Sequence, residues 1–370
     1  MASRSIMFIA GDPSGDIHAA PVIKRLRDQD SSIEVWGIGG PIMAREGFTS
    51  LMPFEPFNKM GFKEVIAHLG FFLDAKKKLI NQMKQRKPDC LVCIDYPGFN
   101  MPIMKAAYKI GIPVIWYIAP MVWAWKKKRA AVLGKCASHI ACIFPFEVQH
   151  FLPYTDKVSF VGNPSVESME PVKIKKDTDL LNIAIVPGSR KQEVEKMLPV
   201  MLNAFRIIRN EFPSATATVS QFPLLDQSFF EIVKNYEGVS LTKKPLREIL
   251  CESSYAIVTS GTATLETALS GVPMTIVYKT SLMTYFIMRS LLKVNFIGLP
   301  NLIAGKEIVP ECIQDDANPE QIACRIGKFI TNKEYCSATL GELIKLKHDL
   351  GVQKPSFEVA EIIRKCAVYR

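Results

Sequence analysis

The stretch Cys90-Leu91-Val92-Cys93-Ile94-Asp95-Tyr96-Pro97-Gly98-Phe99-Asn100 decides the fold. Its first five residues are apolar without polar alternation, which predicts a strand covered on both faces of a sheet. An aspartate ends the run, and a proline-glycine turn leads into a helical pattern. A buried strand that delivers a polar group to the loop behind it is typical of a parallel α/β sheet.

The same alternation of strand and helix recurs on both sides of this stretch. Strands are predicted at 5–10, 34–38, 90–96, 114–118, 139–144 and 158–161, and again at 181–186, 216–220, 239–241, 255–259 and 274–277. Helices are predicted at 17–29, 69–86, 102–110, 193–211, 225–236, 246–252 and 262–270. The polar segment 168–179, with charges of both signs and Pro171, is predicted to be a linker.

The fold class predicted from this order is α/β, with two Rossmann-like domains facing a central cleft. The first domain is predicted to span residues 1–168 and the second residues 180–340. A helical tail at 341–370 is expected to pack back on the first domain or on a partner chain. Ligands of such sheets bind at the carboxyl ends of the strands, so the loops behind the strands are the candidate sites.

Composition excludes several classes of protein. The 370 residues are 48% apolar and 22% charged, which indicates a folded globular chain. Lysine and arginine number 46 against 36 acidic residues, a net charge of +10 that suits anionic lipid, phosphorylated substrates or nucleic acid. No nucleic-acid-binding motif accompanies the charge, so we expect no nucleic-acid partner. The sequence has no uninterrupted apolar run of about 18 residues, so no membrane-spanning helix is predicted.

The nine cysteines point to a reducing compartment. Cys90 and Cys93 form the one C-x-x-C, but they lie in a predicted buried strand and no second pair completes a zinc site. We therefore expect structural thiols, no metal site and no cofactor. Because the first strand begins about five residues in, no signal peptide is expected, and the predicted location is cytoplasmic.

The first strand ends in Gly11-Asp12-Pro13-Ser14-Gly15-Asp16. Two glycines permit a tight turn and close approach of a ligand, and a helix begins directly behind. The spacing is not the G-x-G-x-x-G of dinucleotide-binding proteins. Two interpretations stay open, namely a turn with Asp16 as the helix N-cap and a loop that lines a substrate.

Asp95 and Trp123 mark two further loops. At the carboxyl end of its strand, Asp95 could accept a proton from an attacking hydroxyl, or form an Asx-type turn before Pro97. Trp123 and Trp125 precede four cations, from Lys126 to Arg129. That combination suits an interfacial anchor, a phosphate site or a stacking surface for single-stranded nucleic acid, and equally a core tryptophan before a solvated helix.

In the second half, two glycine-containing turns each open a helix. The turn Pro187-Gly188-Ser189-Arg190 suits a diphosphate, because backbone N–H groups and an arginine both bind phosphate oxygens. The turn Ser260-Gly261-Thr262 forms a second anion cradle, and Glu266 lies one turn into the helix. Glu266 could accept hydrogen bonds from a ribose, or it could simply be an acidic residue that the helix dipole favours in the first turn. Two such turns indicate a nucleotide-sugar diphosphate.

Seven stretches together resemble the lipid-A-disaccharide synthase family. They are 11–16, 94–100, 120–129, 160–164, 187–190, 260–266 and 299–305, in the family's order across most of the chain. The resemblance implies a GT-B fold and an inverting glycosyltransferase that needs no metal. The implied reaction transfers diacylglucosamine from UDP-diacylglucosamine to diacylglucosamine 1-phosphate, forming a β-1,6 bond and releasing UDP.

The resemblance also implies roles for individual residues. Asp95 would be the catalytic base, with Asp16 as the alternative. The residues implied for UDP binding are Gly188, Ser189, Arg190, Ser260, Gly261, Thr262, Glu266 and Asn301. The residues expected to face the acceptor or the membrane are Ser14, Gly15, Phe71, Phe72, Trp123, Trp125, Lys126 and Arg129.

The acyl chains of such substrates need an apolar surface. The segments 60–79 and 282–296 combine aromatic and aliphatic residues with cations, which suits an anionic leaflet or a buried amphipathic helix. Family members are expected on the cytoplasmic face of the inner membrane, often as homodimers joined through their C-terminal segments.

Two departures and several alternatives stay open. Asp12 stands where a glutamate is usual and Asn163 where a histidine is common, so neither receives a catalytic role. Another UDP-sugar enzyme of the same fold, an epimerase or a peptidoglycan precursor transferase, fits many of the same features. A non-catalytic binder of nucleotide sugars or lipid also fits them.

Overall fold

The computed structural model describes residues 4–58, 69–123, 128–168, 181–223, 225–280 and 296–368. The chain forms two compact units, each with its own sheet. The first unit comprises Met1–Glu167 together with Leu350–Arg370, and the second comprises Ser168–Asp349.

In its described residues, the first unit holds seven strands in the order β3-β2-β1-β4-β5-β6-β7, and all pairs are parallel. The strands are β1 (Ser5–Ala10), β2 (Glu34–Ile38), β3 (Thr49–Ser50), β4 (Cys90–Ile94), β5 (Val114–Tyr117), β6 (His139–Cys142) and β7 (Val158–Phe160). The helices are α1 (Pro13–Gln29), α2 (Pro41–Arg45), α3 (Glu55–Asn58), α4 (Leu69–Arg86), α5 (Pro97–Lys109), α6 (Lys128–Cys136), α7 (Val148–Phe151) and α8 (Pro164–Glu167), with a 3-10 turn at Pro145–Glu147.

The central strands of this sheet are buried on both faces, as their uninterrupted apolar sequences predict. One face packs under α4 and α5, and the other under α1. The chain returns to cover the second face with α15 (Pro355–Val368), whose Val359, Ala360 and Ile363 join the core that holds Phe8 and Val92. The final helix is therefore part of the first unit.

In the described part of the second unit, six parallel strands have the order β10-β9-β8-β11-β12-β13. They are β8 (Asn182–Val186), β9 (Thr216–Ser220), β10 (Val239–Thr242), β11 (Tyr255–Thr259), β12 (Met274–Tyr278) and β13 (Glu311–Ile313). The helices are α9 (Lys191–Glu211), α10 (Leu246–Cys251), α11 (Thr262–Leu269), α12 (Leu299–Ala304), α13 (Pro319–Thr331) and α14 (Lys333–Gly351), with 3-10 helices at Gln227–Asn235 and Gln314–Asp316. The core lies between the sheet and α9 with α13.

The structure confirms the α/β class and every predicted strand, most within two residues at either end. It differs at two points. The short strands β3 and β13 were not predicted, because two or three residues carry no periodic signal. The predicted boundary at 340/341 falls inside α14, which runs on to Gly351. The predicted linker lies almost wholly outside the described residues.

Candidate active site

The carboxyl ends of β1 and β4 meet at one edge of the first sheet, because the two strands pair in parallel with Ala10 opposite Ile94. Asp95 and Tyr96 follow β4 and are in the left-handed backbone region, at φ 41° and 47°. Gly11 follows β1, and a Cβ at that position would lie 2.1 Å from the Tyr96 ring. The glycine is therefore required for the close approach of the two loops.

Asp95 is a half-buried carboxyl with an unusual proton affinity. Burial, and then the like charge of Asp12, raise its pKa to about 6, against the opposing effects of the Tyr96 amide and of Arg129. A carboxylate with a pKa of about 6 is ionised at neutral pH and is a stronger base than an ordinary aspartate. The arrangement fits a general base.

The loop behind β1 differs from the sequence interpretation. The N-cap of α1 is Asp12, whose Oδ1 accepts from the Gly15 amide at 2.7 Å and from the Ser14 hydroxyl at 3.0 Å. Asp16 is instead buried inside α1 and caps the neighbouring helix α2. Its two oxygens accept from the backbone amides of Gly40, Ile42 and Met43 at 2.9–3.0 Å. Because three amides hold this carboxylate, we do not assign the alternative base to Asp16.

Sequence reasoning missed a buried carboxyl on the same edge. Glu147 is 1% exposed, and its Oε2 accepts from the Ile143 and Phe144 amides at 3.2 Å. Burial is the first cause that raises its pKa to about 8, and the charge of Asp95 adds to the effect. The one sequence signal was a proline two residues before an acid behind a strand, which also describes many ordinary turns.

Trp123 lies beside this carboxyl. It packs edge-on against Phe146 with ring centroids 5.2 Å apart, and it is buried. Its indole N–H lowers the pKa of Glu147 and so favours the carboxylate. The geometry of the two groups does not meet the criteria for a hydrogen bond. The structure thus places Trp123 in the core, not at an interface. Trp125 and Lys126 lie outside the described residues. Arg129 is the second residue of α6, and its charge acts on the Asp95 carboxyl.

Phe71 and Phe72 belong to an aromatic cluster under the sheet. The Phe57 ring centroid lies 5.2 Å from that of Phe71, 5.7 Å from that of Phe72 and 5.5 Å from that of Phe99. Phe72 is a core residue and Phe71 is half-buried against that core. The expectation that Phe72 faces a membrane is therefore wrong, because α4 turns this residue toward the sheet. Residues 60–68 and 282–295 of the two apolar segments lie outside the described residues.

In the second unit, the predicted anion loop joins β8 to α9. Gly188 has φ 113°, and the Glu193 carboxylate accepts from the Ser189 and Arg190 amides at 3.3 Å. The Arg190 guanidinium is exposed and donates to Glu193 at 2.8 Å. An exposed arginine and two amides that already hold a carboxylate are suited to bind a phosphate oxygen.

The second predicted cradle leaves the adjacent strand β11, whose Val258 pairs with Val186 of β8. Gly261 and Thr262 are exposed where α11 begins, and the Ser260 hydroxyl donates to the Ile297 carbonyl at 3.0 Å. Glu266 is half-exposed, with its Oε1 4.0 Å from Arg247 Nε. Burial raises the Glu266 pKa and Arg247 opposes the shift. The two loops therefore lie side by side at one edge.

Asn301 has a different role from the one expected. It is fully buried, and its Nδ2 donates to the Val309 carbonyl and to Glu311 Oε1, both at 2.8 Å. Its Oδ1 accepts from the Ile308 and Val309 amides. Every polar atom of the side chain is thus used within the protein. Asn301 holds the chain that follows α12 in place.

Among the described residues, no cluster of three or more histidine, cysteine or acidic side chains is arranged to hold a metal ion. Over that same part of the chain, no helix combines the length and the apolar character needed to cross a bilayer.

Comparison with known proteins decides the family. A family model described as lipid-A-disaccharide synthetase matches residues 6–363. The chain belongs to the lipid-A-disaccharide synthase family. Relatives of this name include one from Geobacter sulfurreducens, 34% identical over 98% of this chain and 97% of the relative. Another, from Syntrophus aciditrophicus, is 36% identical over 95% of each chain.

Solved structures similar to this lipid-A-disaccharide synthase family member show the fold. A UDP-GlcNAc 2-epimerase from Neisseria meningitidis, bound to UDP-GlcNAc, matches with a TM-score of 0.66 at 13% identity, over 98% of this chain and 99% of that one. Acinetobacter baumannii MurG matches with a TM-score of 0.63 at 17% identity, over 98% and 100%. These likenesses confirm two Rossmann-like domains of the GT-B class.

Proposed function

We propose that this chain transfers diacylglucosamine from UDP-diacylglucosamine to diacylglucosamine 1-phosphate, forming the β-1,6-linked disaccharide 1-phosphate and UDP. The family match over residues 6–363 carries the proposal. The chemistry of the two units supports it, because one presents a half-buried carboxyl of raised pKa and the other two adjacent anion-binding loops.

The donor is assigned to the second unit. Arg190 and the amides behind Gly188 would bind the diphosphate, with Ser260, Gly261 and Thr262 from the adjacent loop. Glu266 would accept from a ribose hydroxyl. As the glycosidic bond breaks, negative charge builds on the leaving UDP. The Arg190 guanidinium and the helix N-terminal amides would stabilise that charge.

The acceptor is assigned to the first unit. Asp95 would take the proton of the acceptor hydroxyl as the oxygen attacks the anomeric carbon from the face opposite UDP. Its pKa of about 6 leaves it ionised at neutral pH, yet more basic than a solvated aspartate. Ser14 and Gly15 would border the acceptor, because they share the edge of the sheet with Asp95.

The experiment measures UDP release from UDP-diacylglucosamine in detergent micelles, with and without diacylglucosamine 1-phosphate. Wild type should release UDP only when the acceptor is present. Asp95→Ala and Asp95→Asn should lose activity by about two to four orders of magnitude, the usual worth of general-base catalysis, and keep their affinity for UDP. Asp89→Asn is the matched control, since Asp89 lies just before the amino end of β4 and accepts from the Ser5 amide.

Each outcome separates a different claim. A folded wild type that binds UDP without releasing it to the acceptor would favour a non-catalytic binder. Release without the acceptor would favour another sugar-nucleotide enzyme. Full activity in Asp95→Asn would keep the transferase and remove the base assignment.

We also propose a peripheral position on the cytoplasmic face of the inner membrane. Three large apolar residues lie about half exposed near the carboxyl edge of the first sheet, and they are Ile17, Leu73 and Met121. The cations of α4 and α6 lie in the same unit, and apolar residues beside cations suit an anionic leaflet. Flotation with vesicles should show binding to anionic lipid that weakens in Met121→Glu with Leu73→Glu. Equal binding to neutral vesicles would contradict the electrostatic part.

We further propose a homodimer formed through the C-terminal segment 341–370. That segment exposes three large apolar side chains, namely Ile344, Val352 and Phe357. Sedimentation should give twice the chain mass for wild type and the monomer mass for Ile344→Glu with Val352→Glu. A monomeric wild type at micromolar concentration would reject the dimer.

A further inference from the structure

The end of β4 has a backbone that costs free energy to maintain. Asp95 and Tyr96 both have positive φ, and neither is a glycine. A non-glycine residue in this region is strained, and it persists only where its surroundings hold it there. Two such residues in succession, at the strand end that carries the proposed base, therefore need a specific support.

Asn100 provides that support from the first turn of α5. Its side chain is fully buried, and its Nδ2 donates to the Ile94 carbonyl at 3.1 Å and to the Asp95 carbonyl at 2.9 Å. The opposite orientation of the amide would set its oxygen against two carbonyl oxygens, so the hydrogen-bonding pattern fixes the orientation. Within the described residues, Asn100 Oδ1 has no hydrogen-bond partner. The side chain thus leaves one buried polar atom unsatisfied and still spans the turn.

Other contacts hold the backbone of the turn. The Asp95 amide donates to the Tyr117 carbonyl at 2.9 Å, and the amides of Phe99 and Asn100 donate to the Tyr96 carbonyl at 3.1 and 3.0 Å. These bonds fix the strand register and the start of α5. The side-chain amide of Asn100 bonds the Ile94 and Asp95 carbonyls, which lie on either side of the Asp95 Cα. These two bonds therefore set the direction in which the Asp95 side chain leaves the backbone.

We propose that Asn100 is a positioning residue that holds the Asp95 carboxylate in its productive direction by bonding the two carbonyls that flank it. The inference rests on the proposed function for its kinetic consequence. Its structural consequence, the environment of the Asp95 carboxyl, does not depend on the reaction.

The test compares Asn100→Ala, Asn100→Ser and Asn100→Leu with wild type in the acceptor-dependent assay. Asn100→Leu is nearly isosteric and uncharged but lacks both N–H donors, so it separates hydrogen bonding from volume. We expect kcat to fall by about 10- to 100-fold, the effect of a misplaced catalytic group, with UDP affinity unchanged within about twofold. Asn100→Ser keeps one shorter donor and should lie between Asn100→Ala and wild type.

A second readout separates positioning from a general loss of stability. The acidic limb of the wild-type kcat/KM profile, which reports ionisation of the free enzyme, should have its midpoint near the Asp95 pKa of about 6. In the Asn100 variants the loosened carboxylate becomes better hydrated, so the midpoint should move toward the ordinary value of 3.8. Titration of the 13C-labelled Asp95 carboxyl by NMR, assigned with Asp95→Asn, follows the same shift without any substrate.

Ser138→Ala is the matched control. Its hydroxyl accepts from the Val114 amide at 3.2 Å, at the amino edge of the same sheet. It should lower Tm without changing kcat or the midpoint. Asn100→Ser or Asn100→Leu with lower Tm, wild-type kcat and an unmoved Asp95 titration would overturn the inference. If wild type is inactive but the NMR midpoint still moves, the proposed reaction fails and the positioning role stands.

Discussion

At the level of single residues, the proposed function divides the chemistry of the two units between a carboxyl and a guanidinium. Asp95 derives its basicity from burial and from the nearby charge of Asp12. Arg190 is exposed and held by one short bond to Glu193. A base needs an environment that perturbs it, whereas a phosphate ligand needs an accessible charge. The two residues therefore show opposite degrees of burial for physical reasons.

Arg190→Ala should weaken UDP binding by about 10- to 100-fold, because a charge-assisted hydrogen bond contributes about 1.5–3 kcal/mol. Arg190→Lys should recover part of the loss, since a lysine keeps the charge but not the planar fork. Isothermal titration with UDP measures both. Lys234→Ala is the control, an exposed cation of the same unit paired with Glu231. Equal affinities for wild type and Arg190→Ala would remove Arg190 from the donor site.

The residues that sequence reasoning placed wrongly share one cause. Asp16 and Asn301 looked like loop polar groups, but each is held by backbone amides 7–27 residues away along the chain. No local pattern records such a partner. The prediction for Phe72 was wrong for a related reason, because the pattern of an amphipathic helix is the same whether its apolar face packs on a sheet or on lipid.

At the level of elements, local pattern sufficed to predict the bounds of several strands. The bounds of β1, β2, β9 and β11 were predicted to the residue, since apolar runs and turn residues define them. The predicted loops Gly188–Arg190 and Ser260–Thr262 do lie on adjacent strands. Their proximity follows from strand order, which the sequence leaves open.

The 3-10 turn Pro145–Glu147 makes a pH prediction, because it buries a carboxyl with few compensating bonds. The Glu147 pKa rises from 4.5 to about 8, so the folded state binds more protons than the unfolded state between those values. Stability is therefore full below the unfolded pKa and is lost as pH rises toward 8. The loss is on the order of a few kcal/mol.

Glu147→Gln should remove most of that dependence, since a neutral amide can still accept from the Ile143 and Phe144 amides. Tm measured from pH 5 to 9 should fall for wild type and stay nearly level for Glu147→Gln, so that the variant is the more stable protein at pH 9. The exposed Glu34→Gln serves as the control. Parallel curves for wild type and Glu147→Gln would show that Glu147 ionises normally.

At the level of the whole molecule, the order of the chain differs from the order of its units. The first unit includes residues 350–370, which follow the whole of the second unit in the sequence. The last helix buries Val359, Ala360 and Ile363 in the core that contains β1 and β4. We therefore expect the two units to unfold in separate transitions, which a single free energy of unfolding would not describe.

Ile363→Ala should therefore destabilise the first unit by about 2–5 kcal/mol, the usual cost of a large-to-small change in a core. For a unit of this size the loss lowers its calorimetric transition by on the order of 10 °C. UDP binding, assigned to the second unit, should keep its wild-type affinity at 25 °C. Leu152→Ala is the matched control, because Leu152 is 56% exposed and lies in the first unit. Equal shifts for the two variants, or a shift confined to the transition that UDP raises, would show that the final helix does not complete the first unit.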